Sequence, residues 1–316
     1  MRNALRLIPV LAASLCGLSA HAAQLSSDAR AAIPREVRQL VVIDYRAMQN
    51  SGTAMQLRDR VMPPELKQFD DALRKSGLND NHDVDQLAFA LFRPVGDKDE
   101  VVTLGIAQGQ FDTDTILAGF KKRGVKPQTI RTAKIYPMSK TGMMLCFLDQ
   151  STMIFGGIDS IRASLDARDG NQQSLLANQA LMEAMRSTDS EDLWSVLDAL
   201  GTQNMMKQVL GEAGSVADYE SVRKRLQVSW YGMDFTHGVK FNLTIVTGDN
   251  FAAATISSLL NAAVLYKKTT GDATEKVALA DTDVSSNSGK LLVKFSASDN
   301  DFDSLLKSTL FQSMVH

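Results

Sequence analysis

Apolar residues recur along this chain in two rhythms, and the changes between them mark out elements. Residues 39–45 are rich in β-branched side chains and read as a strand. Residues 52–61 suit a short helix that Pro63-Pro64 interrupts. Pro64 then suits the start of the next helix, 65–76, which lines up Leu66, Phe69 and Leu73 and stops at Gly77. The polar loop Asn79-Asp80-Asn81-His82-Asp83 leads into strands at 86–95 and 100–108, joined as a hairpin through Gly96-Asp97-Lys98-Asp99. Asp112 is placed to cap a helix whose apolar face is Ile116, Leu117 and Phe120 and whose basic last turn precedes Gly124. Strands at 129–138, 143–149 and 152–158 and a helix at 159–167 complete the first half.

The second half follows a similar plan. A helix at 177–187 precedes a strand at 192–198. Strands at 225–236 and 239–247 form a hairpin, and a long helix from 250 to about 267 carries Ile256, Leu259, Leu260 and Ala263 on one face. Strands at 277–284 and 290–296 and a helix at 299–311 follow. A shift of 140 positions lays Phe111, Thr115 and Ile116 on Phe251, Thr255 and Ile256, and lays Phe155, Asp159 and Leu165 on Phe295, Asp299 and Leu305. The first strand needs another offset. The expected fold is therefore α+β: two tandem repeats, 24–170 and 171–316, of mainly antiparallel sheet with helices packed on one face.

The N-terminus changes the picture of where the protein works. Arg2 and Arg6 precede a short apolar run at 7–15, and Ala20-His21-Ala22 offers a small-x-small cleavage pattern. Residues 1–22 are expected to be a signal peptide, cleaved near Ala22, with a periplasmic or secreted product. Pro9 breaks the run, which is too short to span a bilayer, and no later stretch is long and apolar enough to do so. Leu15 precedes Cys16 where a lipid-attachment motif takes a small residue, so a soluble product is favoured over an anchored one. A formal net charge of −2 with no polybasic patch argues against nucleic acid as a partner. Once the signal is removed Cys146 stands alone, so no disulfide can form within the chain. It lies in the apolar run 143–148 and reads as a buried structural thiol.

Three stretches carry a resemblance. They are Ile33-Pro34-Arg35-Glu36-Val37 leading into Val42-Ile43-Asp44-Tyr45, then Ser76-Gly77-Leu78 followed by Asp83-Val84-Asp85-Gln86-Leu87, and Asp192-Leu193-Trp194. Together they resemble duplicated, secreted bacterial proteins of unknown function, over most of the mature chain. The resemblance implies no activity and no catalytic residues.

The motifs that carry chemistry are weak. Fragments of the serine β-lactamase set occur: Ser221 with Lys224, Ser304 with Lys307, Ser298-Asp299-Asn300, and Lys140-Thr141-Gly142. Their order is wrong for that chemistry, and a helix face, a cap and a turn account for them. His82, His237 and His316 have no metal-ligand spacing. The loop from Asn79 lacks the glycine and glutamate of a calcium loop. Asp44 and Asp198 end equivalent strands and are more simply caps than an acid–base pair. No enzyme activity, metal or cofactor is expected. Fourteen methionines suggest core filling or an adaptable binding surface. The candidate ligand or interface residues are Met143, Met144, Met205 and Met206, with Trp194 and Trp230, while Tyr231 is a further possible contributor. The reading placed first is an exported, non-catalytic cell-envelope module that binds an envelope macromolecule. Second stands a periplasmic carrier of an apolar small molecule or lipid in a cleft between repeats, and third a hydrolase with an unrecognised site. A large apolar cavity favours the carrier, an exposed apolar patch the interaction module, and convergent titratable groups the hydrolase.

Overall fold

The computed structural model describes residues 24–62, 64–75, 77–78, 80–94, 101–138, 142–210, 219–271 and 273–308. Its strands are β1 (Val37–Asp44), β2 (Val84–Phe92), β3 (Val102–Gly109), β4 (Gln128–Ile130), β5 (Ala133–Pro137), β6 (Met144–Phe147), β7 (Thr152–Gly156), β8 (Leu193–Leu197), β9 (Leu226–Asp234), β10 (Val239–Thr247), β11 (Thr282–Asn287) and β12 (Lys290–Ala297). They form one antiparallel sheet in the order β11-β12-β10-β9-β8-β1-β2-β3-β7-β6-β5-β4. The halves meet in the middle, where β1 pairs β8 in the register Val41↔Ser195, so the sheet runs unbroken from one half into the other.

The helices are α1 (Ser27–Ala31), α2 (Tyr45–Gln49), α3 (Gly52–Val61), α4 (Pro64–Arg74), α5 (Asp80–Asp83), α6 (Thr113–Lys122), α7 (Ile158–Arg168), α8 (Gln179–Arg186), α9 (Ala199–Leu210), α10 (Tyr219–Arg223), α11 (Asn250–Thr270), α12 (Ala273–Ala278) and α13 (Asp299–Leu306). Side chains at the starts of several helices hold exposed backbone donors. Ser26, Asp44, Ser51, Asp112, Asn178, Asp249 and Ser298 each accept from the N–H three residues on. Gly124 takes a positive φ of 72° just after α6, in the left-handed turn expected at that stop.

Successive side chains of a strand point to opposite faces. On one face Leu40, Val42, Ala90, Ile106, Ile154 and Trp194 form a core with Ala29 of α1, Ile161 and Leu165 of α7, and Leu181 and Met185 of α8. On the other face α4 and α6 bring Leu73, Ile116 and Phe120 onto Ala107, Leu145 and Met153. Further along that second face α9 and α11 pack Met206, Ile256 and Leu260 on Leu243, Ile245 and Leu291. Between these groups α2, α3 and α13 place Met48, Leu57, Phe302 and Leu306 near Val239, Ile43, Leu193 and Met233. Helices therefore cover both faces, not the single face expected from the hairpins. The physical cause lies in strands such as β7, whose five residues Thr152–Gly156 are all buried, as strands covered on both sides must be.

Local expectations are corrected in four places. The strand expected at 129–138 is two, β4 and β5, because Arg131 adopts a left-handed φ of 53° and turns the chain back. The strand expected at 277–284 begins only at Thr282, since α12 takes up residues through Ala278. Residues 80–83 form a helical turn, not an open loop. Helix α9 has no counterpart among the expected elements, and neither do the short helices α1, α2 and α10. Among the described residues, no helix is long and apolar enough to cross a membrane.

Candidate functional site: a cavity over the central strands

The two groups of helices on the second face leave a gap above the middle of the sheet. Its floor is Val41 and Ile43 of β1, Leu87 and Phe89 of β2, and Leu193, Tyr231 and Met233 of β8 and β9. These residues lie opposite one another across the ladder, through the pairs Val41↔Phe89, Ile43↔Leu87, Ile43↔Leu193 and Leu193↔Met233. The roof is local in sequence. Asp44 Oδ1 accepts from Ala47 N at 2.8 Å to start α2, and Ser51 Oγ accepts from Ala54 N at 3.2 Å to start α3. These caps turn the chain straight back from the end of β1, so Tyr45, Met48, Leu57 and Val61 lie over the strand they follow. Met62 is extended, and Leu66 of α4 closes the far side.

The cavity is partly open to solvent and its volume is about 470 Å³. That lies within the range of small-molecule sites, about 300–1,000 Å³. A smaller extension of about 70 Å³ continues under α4 between Leu73 and Phe155. The lining is apolar apart from Arg58, Thr103 and two phenols. Arg58 is engaged: its Nη1 donates to Tyr45 Oη at 2.9 Å, its Nη2 donates to Asp59 Oδ1 at 2.7 Å, and its guanidinium lies 5.9 Å from the Tyr45 ring centre. Burial opposes its charge, but the bonds to Asp59 and Tyr45 outweigh it and raise its pKa. Burial likewise pushes the Tyr231 phenol up, against hydrogen bonds with Ser195 and Gln39.

A second, more polar groove of about 300 Å³ lies next along β1 and shares Tyr231 with the cavity. Gln39, the next residue on this face after Val41, donates from Nε2 to Ser195 Oγ at 3.3 Å and to Tyr231 Oη at 3.5 Å. The groove lies between the start of β1, the end of β2 and α9, which lines it from Leu200 to Gln208. Arg38 and Arg93 line it. Arg38 Nη1 donates to Asp198 Oδ2 at 2.7 Å. Among the described residues, the Nε atoms of both arginines are buried with no hydrogen-bond partner.

The residues expected to bind lie mostly elsewhere. Trp194 is fully buried on the opposite face, with Trp230 and Met144 in or against the same core, and Lys290 Nζ sits 5.8 Å from the Trp230 ring centre. Met143 packs against the α6 core and Met206 is buried beneath α11. Only Met205 reaches the site, in the polar groove. The methionines at the main cavity are Met48, Met62 and Met233, which stand singly in the sequence. Tyr231 lines both spaces.

The catalytic fragments stay apart. Ser298 caps α13, accepting from Asp301 N at 3.2 Å, and Ser304 donates to the Asn300 carbonyl one turn back. Lys140 and Thr141 lie outside the described residues, as does His316. His82 pairs with the adjacent Asp83 at 3.1 Å, and His237 is in the exposed turn between β9 and β10. Among the described residues no group of three His, Cys, Asp or Glu side chains is placed to hold a metal ion.

No known protein family matches the chain, and no curated protein matches it. Among solved structures it is similar to crystal form I of TP0453, with a TM-score of 0.49 and 9% identity over 88% of this chain and 97% of that one. Crystal form III of the same protein gives a TM-score of 0.49 and 7% identity, over 88% and 98%. Crystal form IV gives 0.47 and 8%, over 88% and 96%.

Proposed function

We propose that this chain is an exported, non-catalytic cell-envelope binding protein, and that it carries an apolar small molecule or lipid between its two halves. The observation that carries this reading is the cavity of about 470 Å³, whose apolar walls come from β1 and β2 on one side and from β8 and β9 on the other. Apolar walls left facing water across a pocket of that size favour an apolar occupant that takes them out of water. Export is proposed from Arg2, Arg6, the apolar run and Ala20-His21-Ala22. The internal duplication of the fold is part of the same proposal. It is supported by the strand order read outward from the centre, where β1-β2-β3-β7-β6 on one side answers β8-β9-β10-β12-β11 on the other.

The test is native mass spectrometry of the mature chain, starting at Gln24 and recovered from a bacterial periplasm, against its denatured mass. The expected result is extra mass that denaturation releases as an apolar molecule. Leu193→Trp, which fills the floor, is expected to abolish it. A bare wild-type chain that also fails to bind a neutral apolar fluorophore overturns the carrier reading. That outcome leaves docking to an envelope macromolecule in front. The observation favouring docking is the exposure of Phe251, Leu265 and Tyr266 on α11, at 67%, 63% and 64%.

A further inference from the structure

We propose that the carried molecule is a single-chain amphiphile with an anionic head: its chain lies in the apolar cavity and its oxyanion sits between Arg38 and Arg93. This rests on the carrier reading and goes beyond it by naming the ligand class. The cavity and the polar groove share Tyr231 and follow one another along β1. Ile43 lies at the apolar end and Gln39 at the polar end, about 13 Å apart at the rise of a strand. Such a path suits an extended chain rather than a compact ring system.

Polarity rises along this path, although Leu91, Leu197 and Leu200 also line the groove. On the apolar side stand Ile43, Leu87, Leu193 and Met233. On the other stand Gln39, Asn204, Gln208 and the two arginines, and among the described residues that line this end none is a carboxylate. Arg38 already spends one nitrogen on Asp198. Among the described residues, its Nε and that of Arg93 are buried donors without acceptors. A buried donor left unpaired is costly, and a guanidinium edge matches the paired oxygens of a carboxylate or phosphate. An anionic head placed here supplies the missing acceptors. The guanidinium at the other end, Arg58, is held by Asp59 and Tyr45 and offers no such opening, which gives the ligand one direction.

The shared chemistry is a singly chained oxyanion, from either a fatty acid or a lysophospholipid-like phosphate. The experiment displaces a neutral apolar fluorophore from the mature chain with palmitate, hexadecyl phosphate and hexadecanol, which share a chain and differ in the head. The expected result is that at least one anion binds about tenfold or more tighter than hexadecanol. Tighter binding of palmitate identifies a carboxylate source, and tighter binding of hexadecyl phosphate a phosphate source. In Arg93→Gln that preference is expected to fall about tenfold, and in Arg93→Lys by less. Equal binding of all three by the wild type, or an anion preference that survives in Arg93→Gln, overturns the proposal while leaving the carrier reading intact. Failure of all three compounds and of the fluorophore itself overturns the carrier reading.

Discussion

Asp44 and Asp198 occupy matching posts at the two ends of the central strand pair. Asp44 N donates to the Asp192 carbonyl at 2.7 Å, and Asp198 N donates to the Arg38 carbonyl at 3.0 Å. Each aspartate then uses Oδ1 to accept from the N–H three residues on, Ala47 at 2.8 Å and Gly201 at 2.7 Å. A common offset of 154 relates both pairs, and the Val41↔Ser195 pair midway between them obeys it too. The central ladder thus reads the same from either end.

Both caps sit where a helix must begin directly after a strand. Asp44→Ala is expected to destabilise the protein by about 1 kcal/mol, the usual worth of an N-cap. Asp198→Ala should cost more, because it also strands Arg38. Asp198→Asn keeps the cap and loses only the half-exposed ion pair, so its cost should be the smaller of the two at that site. Urea midpoints, with slopes checked for constancy, measure all three variants. Equal effects of Asp198→Ala and Asp198→Asn would show that the cap contributes nothing.

Acidity separates Asp44 from an ordinary cap. Burial raises its pKa, the Ala47 N–H opposes this, and the charges of Asp192 and Asp85 add to the rise. Burial likewise raises Glu191, with Asp234 and Asp192 contributing. Between the unfolded and folded values the native state binds more protons, so these groups lose stability as pH rises through that window. Asp112, Asp169 and Asp249 are shifted down and act in the opposite sense, losing their stabilisation as pH falls through their folded values. Asp44→Asn retains a capping oxygen and removes the repulsion. It should raise the urea midpoint at pH 7 and lose that advantage near pH 4. An advantage of the same size at both pH values would sink the assignment.

Much of this architecture is written locally, and the site is not. Helix α6 follows from Asp112, the Ile116–Phe120 spacing and Gly124, and α3 falls on the expected 52–61. The five buried positions of β7 announce cover on both faces, but Met153-Ile154-Phe155 reads equally well as a strand covered on one. Arg131 breaks a strand by a backbone angle that its side chain does not advertise. The cavity gathers Met48, Met62 and Met233 from elements nearly two hundred residues apart, brought together only by the pairing of β1 with β8. Paired methionines stand out in the sequence, yet Met144 opens β6 and Met143 just precedes it, and the two pack into cores on opposite faces.

Gly105 has a packing reason to be glycine. It pairs Phe89 on one side and Phe155 on the other, and a Cβ there would overlap the Phe155 ring. That ring meets Phe89 edge to face, with centroids 6.0 Å apart, beside the smaller extension of the cavity. Gly105→Ala is expected to cost about 1–3 kcal/mol through overpacking. Phe155→Leu alone loses aromatic packing, but combined with Gly105→Ala it should recover part of the loss, with a coupling of about 0.5–3 kcal/mol in a double-mutant cycle. Strict additivity would show that the ring can move aside freely.

Cys146 lies on β6, opposite Ile154, and is fully buried on the face away from the cavity. Burial pushes its thiol up to about 11, against the lowering effect of the Arg168 charge, so almost none is thiolate near neutrality. The nucleophile in thiol chemistry is the thiolate, so both access and ionisation protect this residue. The native protein should therefore react with a disulfide reagent at pH 8 only as fast as it opens. Complete reaction should follow addition of denaturing urea. The rate should also rise in Gly105→Ala, because Gly105 pairs Phe155 beside Ile154 on the same strand, and weakening that packing raises the open population. Rapid labelling of the native wild type at pH 8 would instead place the thiol at the surface and overturn the burial on which this prediction stands.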